Sequence, residues 1–289
     1  MEPRNLHDWE LSEDTTSLPP SRPLEEPTAA TYIIAKTRLF RAIGRVADFN
    51  NTPTLVSYDI VCEIDQALYD AYDRFPSYLK VHKEENMIPL KTTANIARLN
   101  LCSMYHRAMC TLHRKFMAKG RLDSRFKLSH DRCISSALAI LDFQVVLEPS
   151  WYKASLTRQV LTLAAMILLL ELELARRSNN LDTSSSINIL QMLERSCDLW
   201  SHAKNLYEEA GRVHEILAGM ISSFGPERAT TSPPTGAGSS FDLQEFSPLV
   251  LPFDSVAHSL DKEMSDIDLD WSTWDAFIQD TELRNGPIY

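Results

Sequence analysis

Four residues with metal-ligand chemistry fall on one helical stripe. Cys102, His106, Cys110 and His113 follow one another at spacings of 4, 4 and 3. Thiolate and imidazole are zinc ligands. Along a helix, however, eleven residues rise about 16 Å at 1.5 Å each. One ion with bonds near 2 Å cannot collect all four. We therefore read the stripe as a half-buried helix face in which cysteine packs as a small apolar residue. The other bearers of chemistry are carboxylates and aromatics near the C-terminus. Residues 241–289 hold eleven acids and two bases, a net charge of −9, while the whole chain carries −10. Residues 1–240 are therefore close to neutral, and the acidity belongs to the tail.

Within that tail Phe241, Phe246, Phe253, Trp271, Trp274 and Phe277 alternate with the acids. Acidic–hydrophobic alternation is the composition of disordered activation segments. On folding into a helix, Trp271, Trp274 and Ile278 would share one face, with Phe277 beside it. Two readings stay open. The face fills an apolar groove on a partner, or it docks on the body of this chain as its last helix.

Other chemistry is excluded by what is missing. GxGxxG, GxxxxGK[ST], GxSxG, HExxH and a DDxxD-like run are all absent, so the usual phosphate, acyl-transfer and metal motifs are not present. A nucleic-acid stripe would interleave many bases with aromatics, whereas in Leu112 to Lys115 and Arg121 to Lys127 the bases are few and face acids in the same region. They fit solvated helix ends better. The five cysteines are widely spaced, which fits a reducing compartment. The apolar run Val160 to Leu170 is shorter than the ~20 residues of a membrane helix and reads as a buried core helix.

The elements that position these residues are helices. Between Leu90 and Gly225 the only proline is Pro149, and only Gly120, Gly211 and Gly219 interrupt. Apolar stripes recur at 3 or 4 residues. They are Val61–Ile64–Leu68–Tyr72–Phe75, Ile96–Leu99–Ser103–His106–Met109–Leu112–Phe116 and Ile134–Leu138–Leu141–Val145. Residues 154–177 are apolar nearly all round. Residues 185–222 offer Leu190, Leu193, Cys197 and then Val213, Ile216, Met220 as inner faces, and 28–48 is weakly amphipathic. Ser57, Ser129 and Ser184 to Ser186 stand where N-caps would. This predicts an all-α fold of about six or seven packed helices. The expected organisation is an extended segment 1–27, a helical body 28–222, a Ser/Thr/Pro/Gly linker 223–240 and a mostly disordered acidic tail 241–289.

The chain resembles the fungal-specific transcription factor family, whose members join a binuclear zinc-cluster DNA-binding module to a large helical regulatory region. It looks like the C-terminal half of that region with its tail. Pro3, Asn5, Asp8, Glu10 and Leu11, then Leu18 to Pro23, match one family run. Ser57-Tyr58 leading to Leu68, and Phe75-Pro76, match a second. The strongest match is Tyr105-His106 followed by Leu112-His113-Arg114-Lys115-Phe116, where Lys115 replaces the family's usual proline. Ser129, Cys133 and Ala137 match a further segment, and Trp271 to Gln279 resembles the family's terminal element.

The resemblance implies transcription regulation in the nucleus, frequently as a dimer, and no enzyme activity. It implies transcription machinery or a coactivator as partner. DNA would be reached only through an upstream module carrying the six-cysteine zinc cluster, so no cofactor is expected in these residues. His106, Leu112, His113, Arg114 and Phe116 are then structural motif residues. Trp271, Trp274, Phe277 and Ile278 are the expected partner contacts. A body that masks the tail or answers a metabolite completes the expectation. The rival is an interaction protein without DNA binding that pairs with a full-length relative and titrates it. An all-helical enzyme or ligand carrier is disfavoured.

Overall fold

The structure is a computed structural model and describes residues 2–52, 57–81, 93–181, 183–224 and 271. Among the described residues seven α-helices follow one another: α1 (Thr31–Asn51), α2 (Tyr58–Asp73), α3 (Thr93–Met117), α4 (Lys127–Phe143), α5 (Ser155–Arg177), α6 (Ser184–Ala203) and α7 (Glu208–Ser222). Short 3-10 turns join several of them, and no strand occurs among the described residues. The fold is all-α.

Helix α3 divides the body between two cores. One of its sides presents Leu101, Tyr105, Met109 and Leu112 to α1 and α2, where they meet Leu39, Val61, Ile64 and Leu68. Another side presents Cys110 and Met117 to the core built by α4, α5, α6 and α7. Two apolar faces on one helix explain why its sequence stripe tolerates Ser103 and His106. Helix α5 runs through the second core, buried without a gap from Val160 to Ala175. It is the one helix among the described residues long and apolar enough to cross a membrane. Here α4, α6 and α7 pack around it instead.

Several local expectations shift by a residue or more. Ser57 caps α2 as expected, its hydroxyl accepting from the Asp59 amide at 3.3 Å. Ser129 is not a cap: α4 already begins at Lys127, and Ser129 is fully buried inside it. The cap of α6 is Thr183, whose hydroxyl accepts from the Ser186 amide at 3.2 Å. The inner face of α4 is Cys133, Ser136, Ala137, Ile140 and Leu141, with Ile134 and Leu138 only partly buried. Small side chains there let α3 and α5 approach closely, so the face turns about 100° from the larger residues. Val145 lies beyond the helix, in a 3-10 turn. The inner face of α6 is Ile189, Leu193, Ser196 and Trp200, the last fully buried against Tyr152.

Asn5 is the central anchor of the N-terminal segment on the body, alongside the Arg38–Glu2 pair and the Tyr78 hydroxyl bond to Leu24 O. Asn5 is fully buried. Its amide donates to Pro23 O at 2.7 Å and Glu26 O at 3.0 Å, and its side-chain oxygen accepts from the Thr28 and Thr31 hydroxyls. Those bonds delay the start of α1 to Thr31, three residues later than its pattern suggests. Four hydrogen bonds of the side chain offset the cost of burying this amide.

Gly120 sits where the chain turns from α3 to α4. A Cβ there would lie 2.5 Å from Phe126 O and 2.7 Å from His130 Cβ. The backbone cannot yield as a flexible side chain would. Gly120→Ala is therefore expected to cost about 1–3 kcal/mol by overpacking, read as a lower urea midpoint. An unchanged midpoint would show that the turn is looser than this geometry.

Candidate functional site

The first assembly of chemistry-bearing side chains joins α2, α3 and α4. Asp65 sits on the apolar face of α2, at the helical spacing of Val61, Ile64 and Leu68. His113 comes from α3 and Ser129 from α4. His113 Nε2 lies 3.0 Å from Asp65 Oδ1, and His113 Nδ1 lies 2.9 Å from Ser129 Oγ. A carboxylate only accepts, so Nε2 carries the proton and Nδ1 accepts from the Ser129 hydroxyl. Ser129 in turn accepts from the Tyr58 hydroxyl at 2.8 Å. Arg132 closes the far side, its Nε 3.1 Å from Asp65 Oδ1. Burial pushes the Asp65 carboxyl up, but the His113 hydrogen bond and the Arg132 charge outweigh it and hold the group below its ordinary value.

Serine, histidine and aspartate in this order form the constellation of a nucleophilic triad. A triad also needs room for a substrate and donors for an oxyanion. Here His113 and Ser129 are 0% exposed and Asp65 is 3% exposed. Water does not reach the serine, and its oxygen is already committed to Tyr58 and His113. What the arrangement does is brace three helices through charge-assisted hydrogen bonds.

The Cys–His stripe is dispersed by the packing. Cys102 meets the Tyr72 hydroxyl at 3.4 Å, and burial pushes its thiol up to about 12. His106 lies among the rings of Tyr72, Tyr105 and Phe143, and burial pulls it down to about 4. Cys110 faces Cys133 across α3 and α4, each thiol directed at the other's carbonyl at 3.8 and 3.9 Å. Among the described residues no three ligand-type side chains converge. Of the remaining motif residues, Leu112 is fully buried in the α1–α2–α3 core. Phe116 stacks on Phe126 and meets Tyr58 edge-on.

Arg114 makes the second assembly. It is 6% exposed on the side of α3 that faces the larger core. Its guanidinium carbon lies 5.0 Å from the ring centre of Trp271, which is itself 5% exposed and joined to that core. A desolvated cation–π pair of this kind contributes about 2 kcal/mol. A tail residue some 150 positions downstream thus packs against the strongest family motif. Trp274, Phe277 and Ile278 lie outside the described residues.

Two clefts among the described residues are also relevant. One, between α3, α4 and the start of α5, is lined by Leu99, Ser103, Arg107, Phe143 and Trp151 and holds about 90 Å³. Small-molecule sites hold roughly 300–1,000 Å³, so it is too small for a ligand of ordinary size. The other lies between α1 and α2, holds about 570 Å³ and is lined by four arginines. The basic cluster after α3 is neutralised locally: Arg121 pairs with Glu171 of α5, Arg125 with Asp123 and Lys127 with Asp131.

Sequence reasoning named His113 and Arg114 but not their partners. Asp65 carried a signal, since an acid on the apolar stripe of α2 demands a partner. Ser129 looked like a cap because capping and buried bracing use the same residue type. Nothing local pointed to Asn5 as a pin or to Arg114 beneath Trp271.

No family model matches the chain, and no solved structure matches it. Curated relatives do. The Zn(2)-C6 fungal-type transcription factor pigI of Monascus ruber is 29% identical over 238 residues, covering 76% of this chain and 29% of that protein. The Zn(2)-C6 fungal-type transcription factor mpsB of Macrophomina phaseolina is 26% identical over 340 residues, covering 99% of this chain and 46% of that protein. The equisetin cluster transcription factor eqxF of Fusarium heterosporum is 30% identical over 265 residues, covering 86% of this chain and 37% of that protein. The chain is homologous to the fungal Zn(2)-C6-type transcription factors, and it spans less than half the length of these relatives.

Proposed function

We propose that the chain regulates RNA polymerase II transcription in the nucleus through its helical body and its acidic, aromatic tail. The likeness to transcription factors along nearly the whole chain supports the regulatory reading. The observation that carries the mechanism is the burial of Trp271 on Arg114. A tryptophan that an activation segment would offer to a coactivator is held by the body. The tail is then silent while docked and recruits the transcription machinery when released. DNA is reached through a zinc-cluster module of the kind named in the relatives.

The test fuses residues 241–289 to an unrelated DNA-binding module. The wild-type segment is expected to activate a reporter, and the triple substitution Trp271→Ala, Trp274→Ala, Phe277→Ala to abolish it. A silent wild-type fusion removes the activation claim. It would favour intramolecular docking of the tail. In a second reading the chain pairs with a full-length relative and titrates it. One observation supports that reading: Ile33 and Phe40 on α1 and Ile60 and Tyr69 on α2 are exposed apolar side chains. Apolar surface of this kind marks association sites.

A further inference from the structure

The open cleft between α1 and α2 has a floor of small residues and a cationic rim. Ala42, Ala67 and Ala71 line it between the charged side chains. Arg38, Arg41 and Arg45 stand on α1 at spacings of 3 and 4, and Arg74 follows the end of α2. Two of the four are engaged. Arg38 donates to Glu2 at 2.5 Å, and Arg45 lies 3.7 Å from Glu63. The Arg38 hydrogen bond, with the charges of Arg38 and Arg41, holds the Glu2 carboxyl below its usual range. Asp70, the other acid at the cleft, accepts from Gln66 at 2.7 Å. Among the described residues Arg41 and Arg74 have no ion-pair partner. Guanidinium groups grouped over a low-dielectric floor concentrate positive potential and match carboxylates in pairs.

We propose that this arginine-lined cleft is the docking site of the chain's own acidic segment 254–270. Charge makes the first argument. The body is nearly neutral overall, and the acidity that such a cleft would bind lies in the tail. The segment holds Asp254, Asp261, Glu263, Asp266, Asp268 and Asp270 against Lys262 alone. Asp266, Asp268 and Asp270 alternate with apolar residues, so an extended chain would turn all three to one side.

Reach makes the second argument. Trp271, the next residue after the segment, is fixed on Arg114. The neighbouring Lys115 has its ammonium 5.7 Å from the ring centre of Phe49, near the end of α1. From Phe49 back to Arg38 is about 16 Å along the helix. Seventeen extended residues span up to about 56 Å. The tether at Trp271 therefore brings the segment to the cleft at an effective concentration in the millimolar range. Separate ions would have to bind without that advantage.

The inference concerns where the tail rests, not whether it activates. Its test reads amide exchange rather than a reporter, so failure here and failure of the proposed function are distinguishable. The full chain is measured by hydrogen exchange with mass spectrometry. Amides of 254–270 are expected to exchange about tenfold more slowly at ~50 mM than at ~500 mM NaCl, because salt screens the contact. R41E/R74E should remove that protection at low salt while the amides of α5 stay protected. Should that variant fail to fold, R41Q/R74Q and the salt series on the wild-type chain carry the test. Exchange in 254–270 that is fast in the wild type, or indifferent to salt and to both substitutions, overturns the proposal. Protection that grows with protein concentration overturns it too, because the occupant is then the tail of a second copy.

Discussion

His113→Ala is expected to destabilise the body by roughly 3–5 kcal/mol, the cost of taking a hydrogen-bond partner from a buried carboxylate. The side chains of His113 and Asp65 are 0% and 5% exposed, so water cannot replace the lost partner. The substitution strands the Asp65 carboxylate with Arg132 alone and deprives the Ser129 hydroxyl of its acceptor. For a body of about 200 residues this lowers Tm by roughly 6–20 °C. A double-mutant cycle with Asp65→Ala separates the pair from the cavity that truncation leaves. A coupling well under about 1 kcal/mol would sink the brace between α2, α3 and α4. The pH dependence carries a second signature. The folded Asp65 value lies below its ordinary 3.8. The stability it contributes is therefore complete above that pH and is lost as pH falls through the lower folded value. His113→Ala withdraws the largest of the groups holding Asp65 down and leaves burial dominant. With the folded value then above 3.8, the folded state binds the Asp65 proton more readily than the unfolded one, so the acid-side loss due to Asp65 should vanish or reverse.

Arg114→Ala is expected to release the tail without altering a single tail residue. The cation–π contact joins two nearly buried groups 5.0 Å apart, and its loss at about 2 kcal/mol shifts the docking equilibrium about 30-fold. With the whole chain fused to an unrelated DNA-binding module, reporter output should rise above that of the wild type. Protease cleavage within 241–270 should quicken in parallel. Arg114→Lys should fall between the two, since it keeps the charge but loses the flat face that stacks on an indole. Thermal melting of each variant shows whether the body remains intact. Unchanged output together with unchanged cleavage would mean that the Trp271 contact does not hold the tail. The reporter test on 241–289 alone is untouched by Arg114, so the two results separate masking from activation.

The two experiments fall on opposite sides of what could be read in advance. Periodicity and breaker placement determined by themselves that the body is helical and that α5 is buried all round. They also placed most of the inner faces. The reason is that helical pattern, capping at Ser57 and the gap in prolines between Leu90 and Gly225 are local properties, written within a turn or two of each residue. Composition likewise separated a neutral body from an acidic tail. The tertiary structure decided the rest. Small residues in α4 turned its packing face away from the larger ones, because close approach to α3 and α5 stabilises more than burying Ile134 and Leu138 further. Ser129 became a buried brace because Asp65, 64 residues before it, arrives from another helix. Arg114 became a socket because Trp271, 157 residues after it, packs on its guanidinium. Such pairings depend on which helix faces reach one another across the fold, and no spacing within a single helix encodes that.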